Sequence, residues 1–191
     1  MPQSHCVMTS ATNAFLIGEK IVLRAFEPGD ENMVARLENH PDPRETLFYA
    51  RPTSVEQQRD KTQNQLRDPN TILLTICEKD TNEPIGQTAF VRIDWIGRMG
   101  TFYLGIADKQ NWSKGYGSET TRLMVDYAFK TLNFNRVELK VAGENTAGFR
   151  VYQKIGFVHE GTLRQAMFRD GKYSDFHVMG ILREDYIKIS S

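Results

Sequence analysis

The segment Trp112-Ser113-Lys114-Gly115-Tyr116-Gly117-Ser118 constrains this chain more than any other, because it joins a strand-like run to a strongly amphipathic one. Before it, Gly100 to Ala107 reads as a strand; after it, Leu123, Met124, Tyr127, Ala128 and Leu132 share one helical face. A strand that turns through a glycine-bearing loop into a helix gathers unpaired backbone NH groups and the positive end of the helix dipole at one point, which favours an anion. Gly115 and Gly117 let a pyrophosphate approach the backbone without a Cβ in the way, and Lys114 adds charge at the rim. The spacing is neither the dinucleotide fingerprint nor the lysine-serine ending of a nucleotide P-loop. On these residues alone the segment reads equally as an ordinary turn whose glycines satisfy backbone angles.

Around this unit the pattern is that of an α/β domain. Lys20 to Phe26 is a strand, broken at Pro28-Gly29-Asp30; Asp30 then caps a helix carrying Met33, Val34 and Leu37 that stops at His40-Pro41-Asp42-Pro43. Ser54 with Gln57 forms a capping box for a surface helix running to Arg67. Thr71 to Glu78 and Ile85 to Ile93 form a hairpin around the turn Asp80 to Pro84. After the glycine loop and its helix come a strand at Val137 to Val141, a helix at Thr146 to Ile155 closed by Gly156, and strands near Phe157 to Leu163 and Ser174 to Leu182 joined by a turn at Asp170-Gly171. Residues 1–15 are polar and unpatterned and read as a flexible arm, leaving 16–191 as the domain.

Bulk properties narrow the partners. A chain of 191 residues suits one core and one site. Lys plus Arg and Asp plus Glu both number 24, so no net field draws the chain to nucleic acid or to an anionic membrane. Cys6 lies in the polar arm and Cys77 in an apolar run; neither has metal-ligand spacing to a histidine, so no metal is expected. The N-terminus lacks a long apolar segment, and the default is a cytoplasmic protein. A homodimer is left open.

Four groups of residues carry a family resemblance. They are Gly105 to Ser118; Glu138-Leu139-Lys140-Val141 with Glu144-Asn145-Thr146; Tyr152-Gln153-Lys154-Ile155-Gly156-Phe157; and Glu160-Gly161-Thr162-Leu163-Arg164 with Asp170-Gly171-Lys172-Tyr173-Ser174-Asp175. In this order they closely resemble the GNAT acetyltransferase superfamily, in the branch of ribosomal-protein N-terminal and spermidine acetyltransferases, over nearly the whole chain from Lys20. The resemblance implies a single GNAT-like α/β domain with a mixed, mostly antiparallel sheet, splayed at the cofactor strands and flanked by helices. It also implies acetyl-coenzyme A as co-substrate. The acetyl group would pass to a primary amine of a small molecule, amino-acid-like or polyamine, or of a peptide or protein N-terminus, by direct attack in a ternary complex.

The same resemblance assigns residues. Trp112, Ser113, Lys114, Gly115, Tyr116, Gly117 and Ser118 hold the pyrophosphate, Gly105, Ile106 and Ala107 present backbone groups to the pantetheine arm, and Asn145 hydrogen-bonds that arm from the next strand's end. The family usually has Gln or Arg where Trp112 stands, a departure that removes one polar contact. Arg44, Phe48, Tyr49 and Arg51 lie between the first two helices, where the family builds its acceptor pocket; the two arginines suit a carboxylate and favour an amino-acid-like or peptide acceptor over a polyamine.

The chemistry sets three demands. An alkylamine of pKa about 10 is mostly ammonium at neutral pH, so a proton must be removed before it attacks a thioester. The carbonyl oxygen that becomes negative needs a donor, which a backbone NH at Ile106 or Ala107 supplies. The departing thiolate needs an acid, and Tyr152 matches the family tyrosine beside the coenzyme A sulfur. Glu138 is the candidate base. The position matching the catalytic glutamate of some ribosomal-protein enzymes is Lys140, so Glu138 would act from two residues away. His40, His159 and His177 are isolated in the sequence and take no role. Trp112 and the absence of a clear base keep one alternative standing, a non-catalytic coenzyme A-binding sensor or scaffold; Tyr152 and Asn145 speak against it.

Overall fold

The alternating apolar runs of this chain assemble, in a computed structural model that describes residues 13–47 and 49–190, into one eight-stranded sheet. Its strands are β1 (Ala14–Ile17), β2 (Ile21–Arg24), β3 (Ile72–Glu78), β4 (Pro84–Asp94), β5 (Met99–Ile106), β6 (Arg136–Ala142), β7 (Val158–Arg169) and β8 (Lys172–Leu182). They lie in the order β1-β2-β3-β4-β5-β6-β8-β7. Every neighbouring pair is antiparallel except β5 and β6. That parallel pair is joined only at Met99↔Arg136, Gly100↔Val137 and Thr101↔Glu138. Beyond this last rung the two strands continue to Ile106 and Ala142 without pairing, and the sheet forks.

Helices cover both faces. α4 (Tyr116–Lys130) and α5 (Thr146–Ile155) close the main core, where Met124, Phe129 and Ile155 meet Phe90, Phe102, Val137, Leu139, Val141 and Met179. On the other face α1 (Asp30–Asn39) sets Met33, Val34 and Leu37 against Ala107, with Tyr49 at the edge of that cluster. α2 (Pro41–Arg44) and α3 (Val55–Arg67) follow α1, and α6 (Arg183–Ser190) ends the chain. Among the described residues no helix is long and apolar enough to cross a membrane.

Three local expectations change. Asp30 does not cap α1. Gly29 occupies that position at φ 107°. Asp30 is buried, and its carboxylate accepts from Arg24 Nη1 at 2.7 Å, Arg24 Nη2 at 2.9 Å and Thr75 Oγ1 at 2.8 Å. A buried guanidinium left unpaired costs more than an exposed cap contributes, so the ion pair wins. Second, His40-Pro41-Asp42-Pro43 ends α1 but starts α2, with His40 accepting from Asp42 N, because a proline in the first turn lacks only an NH that has no helical partner. Third, β1 begins at Ala14, inside the stretch the sequence leaves unpatterned, and β7 runs on past Leu163 to Arg169 through a bulge. Phe48 and Cys6 lie outside the described residues. The Ser54–Gln57 capping box is present, with Gln57 N donating to Ser54 Oγ at 3.1 Å and Ser54 N to Gln57 Oε1 at 2.8 Å.

Candidate active site

The fork and the start of α4 lie at the same end of β5, because β5 runs through the Lys109–Asn111 turn straight into the glycine loop. Ser113 and Gly115 take left-handed φ values of 60° and 91°, which turn the chain into α4, and no side chain caps that helix. Its first NH groups are therefore open to an anion. A Cβ at Gly117 would meet only Leu104 Cδ2 at 3.4 Å, ordinary contact, so packing within the chain does not demand glycine there. Lys20 Nζ holds the loop by donating to Lys114 O at 3.1 Å, and Lys114 Nζ donates to Asn111 Oδ1 at 3.2 Å. Tyr116 offers the anion its backbone and uses its side chain to support the loop. Its ring is buried, with Lys114 Nζ 5.7 Å from the ring centre, and its hydroxyl donates to Glu78 Oε1 at 2.6 Å.

Trp112 has a role that its departure from the family pattern conceals. The indole Nε1 donates to Ile106 O at 3.2 Å and so ties the loop to the end of β5. Ala107, in contrast, has its NH bonded to Ile85 O at 2.9 Å, toward β4. Successive NH groups of a strand point to opposite sides, so the NH of Ile106 points into the fork. Of the two residues offered for the carbonyl oxygen, only Ile106 has its NH on that side. Gly105 is glycine for α1, since a Cβ there would meet Leu37 Cδ2 at 2.9 Å and the Tyr103 hydroxyl at 3.1 Å.

On the β6 side, Asn145 is the N-cap of α5 and its Oδ1 accepts from Gly148 N at 2.9 Å, leaving the amide NH2 to donate elsewhere. Tyr152 stands about two turns on, half-buried, with its ring edge against Phe157 at 5.8 Å and Phe102 at 6.4 Å. Burial pushes its phenol up to about 12, so the hydroxyl keeps its proton at neutral pH. Glu138 occupies the last rung of the fork, accepting from Thr101 Oγ1 at 3.2 Å; its other oxygen is 3.5 Å from Arg136 Nη2. Arg136 is held mainly by Glu160, with Nη1 to Oε1 at 2.6 Å. Lys140 is exposed.

This arrangement, an open helix N-terminus beside a forked parallel strand pair, agrees with what three comparisons with known proteins find. Residues 20–158 match the Acetyltransferase (GNAT) domain. The chain belongs to the GNAT acetyltransferase family. It is 32% identical to the uncharacterised N-acetyltransferase p20 of Bacillus licheniformis, over 90% of this chain and 97% of that one. It is 28% identical to a spermidine N(1)-acetyltransferase of Vibrio cholerae, over 91% of this chain and 99% of that one. Its fold superimposes on the crystal structure of the Vibrio cholerae spermidine N-acetyltransferase in complex with CoA and spermine with a TM-score of 0.82 at 26% identity, over 89% of this chain and 99% of that one. This GNAT enzyme is therefore an N-acetyltransferase that uses acetyl-coenzyme A as co-substrate.

The remaining expectations separate. Tyr49 lies on the α1 face, and its hydroxyl bonds the hydroxyl of Tyr103 on β5. Arg44 donates from Nε to Tyr49 O at 3.3 Å, so its head supports the loop. Arg51 is exposed and engages no described residue. His40 caps α2, and His159 and His177 pack edge to face at 4.9 Å around the Thr162 hydroxyl, which accounts for all three as packing. Sequence reasoning passed over Tyr103 and Glu38. Burial raises the Tyr103 phenol, and the nearby Glu38 carboxylate raises it further. Glu38 is itself buried, accepting from Gln58 Nε2 at 2.6 Å and Lys61 Nζ at 2.5 Å. The signal for Tyr103 was its parity. It shares a strand face with Gly105 and Ala107, the residues packed beneath α1.

Proposed function

We propose that this GNAT enzyme acetylates the primary amine of a small cationic alkylamine of the polyamine type, by direct attack in a ternary complex. The observation that carries the reading is the fork between β5 and β6 beside the uncapped start of α4. Trp112 to Ser118 bind the pyrophosphate of acetyl-coenzyme A through backbone NH groups, and the pantetheine arm passes into the fork between Gly105-Ile106-Ala107 and Asn145. Ile106 NH donates to the carbonyl oxygen as it becomes negative, Glu138 takes the ammonium proton directly or through a water, and the Tyr152 hydroxyl donates to the departing sulfur.

Two observations support a cationic acceptor. The Tyr49 and Tyr103 hydroxyls offer acceptors for ammonium N–H groups in the field of the buried Glu38 carboxylate, whose own oxygens are taken by Lys61 and Gln58. Full-length relatives are named for spermidine, and one was solved with spermine. The domain expected at residues 16–191 extends back to the start of β1 at Ala14, and the reading suits a cytoplasmic enzyme, where acetyl-coenzyme A is made and used; a homodimer fits it equally. The test is thiol release from acetyl-coenzyme A with polyamines, amino acids and short peptides side by side. Polyamines should give the highest kcat/KM. Preference for carboxylate-bearing acceptors, lost in Arg51→Ala, would overturn the acceptor class. Coenzyme A binding by calorimetry with no thiol release would favour the sensor or scaffold reading.

A further inference from the structure

The β7–β8 hairpin is bent by a bulge. Between the pairs Leu163↔Phe176 and Met167↔Ser174, the residues Arg164, Gln165 and Ala166 face Asp175 alone. Gln165 takes a φ of 53° and donates its NH to Asp175 Oδ1 at 2.8 Å. A bulge of this kind bends its strand and re-aims what lies beyond it. Beyond the bend the ribbon is held at two points. Ser174 Oγ donates to Glu144 Oε1 in the turn that follows β6, next to Asn145. Arg169 Nη1 donates to Arg44 O at 3.0 Å and to Glu45 O, two carbonyls at the end of α2.

The second anchor continues inward. Arg44 Nε holds Tyr49 O at 3.3 Å, and the Tyr49 hydroxyl bonds that of Tyr103 on β5. A chain of contacts thus crosses the mouth of the fork, from Glu144 on the β6 arm, through the hairpin tip and α2, to Tyr103 on the β5 arm. Arg169 is the link between its halves. Its field also reaches Glu144, whose carboxyl is held below the usual range first by the Ser174 hydroxyl and further by Arg169.

We propose that Arg169 is a positioning residue for the acceptor amine: by tying the bent hairpin to the α2 carbonyls, it fixes the separation of the two walls between which the acceptor binds. The proposal rests on the acetyl-transfer reading above. Arg169 touches none of the residues assigned to acetyl-coenzyme A, so its effect falls on the acceptor. Lysine keeps the charge and enough donors to reach both carbonyls, whereas alanine keeps neither.

The experiment pairs steady-state kinetics with hydrogen exchange on the intact chain and on its Arg169→Ala and Arg169→Lys variants. In Arg169→Ala the acceptor KM should rise about tenfold with kcat and the acetyl-coenzyme A KM within about twofold, and Arg169→Lys should recover most of the loss. Without any substrate, amide exchange across residues 41–47 should quicken in Arg169→Ala. An unchanged acceptor KM, or unchanged exchange in that segment with normal turnover, overturns the proposal alone. Faster exchange in a chain that acetylates no amine would overturn the acetyl-transfer reading, and the positioning role with it.

Discussion

Thr101 and Glu138 face one another on the last paired rung of β5 and β6, with the threonine hydroxyl donating to Glu138 Oε1 at 3.2 Å. Everything toward the C-terminal ends of the two strands is fork, so this is the carboxylate on the paired strands nearest the opening. If Glu138 receives the acceptor's proton, Glu138→Gln should lower kcat/KM at pH 7 by about a hundredfold. The deficit should shrink as pH approaches about 10, where about half of the amine is already the free base and depends less on Glu138. A deficit that stays constant from pH 7 to 10 would remove Glu138 from proton transfer and leave it as the partner of Thr101 and Arg136.

Gly117 tests the anion site without disturbing the core. Its Cβ position meets only Leu104 Cδ2, at 3.4 Å, so Gly117→Val should keep its melting temperature within a few degrees. The branched side chain should still raise the KM for acetyl-coenzyme A more than tenfold by blocking the approach of the pyrophosphate to the helix N-terminus. Gly115→Val is the contrasting variant. At φ 91° a branched residue is strained, and stability should fall there as well. Unchanged coenzyme A binding by Gly117→Val in calorimetry would sink the loop assignment.

Direct attack can be checked through Cys77, the described free thiol. It is fully buried on β3, and burial pushes its pKa up to about 11. At neutral pH it is therefore no thiolate, and acetyl-coenzyme A without acceptor should leave the protein mass unchanged. The same shift has a stability consequence with a definite sign. The folded pKa lies above that of an ordinary thiol, so the stabilising contribution is complete below about pH 9 and is lost as pH rises through about 11. Cys77→Ala should flatten that alkaline loss. A covalent acetyl group found by mass spectrometry before acceptor is added would contradict direct attack.

Much of this site is local, and local features are legible. The glycine loop, the Asn145 cap, the Gly156 turn at φ 112° and the Ser54–Gln57 box each depend on neighbours a few positions away. What was illegible depends on partners far along the chain. Asp30 looks like a helix cap until Arg24 and Thr75 are placed beside it. Ala107 looks as able to donate as Ile106 until β4 takes its NH. Nothing in Gly100 to Ala107 or Val137 to Val141 marks Thr101–Glu138 as the last rung, because strand separation is decided by what packs above and below. Arg169 finds its carbonyls 125 and 124 positions earlier, a distance at which composition carries no signal. Lastly, α6 is short, and Tyr186 reaches far back along the chain to pack on Phe129 with ring centres 5.0 Å apart.

Tyr152 allows packing and chemistry to be separated in one substitution. Its ring contacts Phe102 and Phe157 edge to face, and Tyr152→Phe preserves both contacts while deleting the hydroxyl. That hydroxyl lies within electrostatic reach of the Tyr103 phenol, and with the ring contacts kept the melting temperature of Tyr152→Phe should hold within a few degrees. Because burial raises the phenol to about 12, it remains a donor across the working pH range, and wild-type turnover should show no loss from phenol ionisation below about pH 11. If the hydroxyl donates to the departing sulfur, Tyr152→Phe should lose roughly two to four orders of magnitude in kcat with unchanged acetyl-coenzyme A affinity. The loss should be smaller with an acyl thioester whose thiol has a lower pKa, since a better leaving group needs less help from a donor. Near-wild-type turnover in Tyr152→Phe would make this residue a packing element, and equal losses with good and poor leaving groups would place its role before thiolate departure.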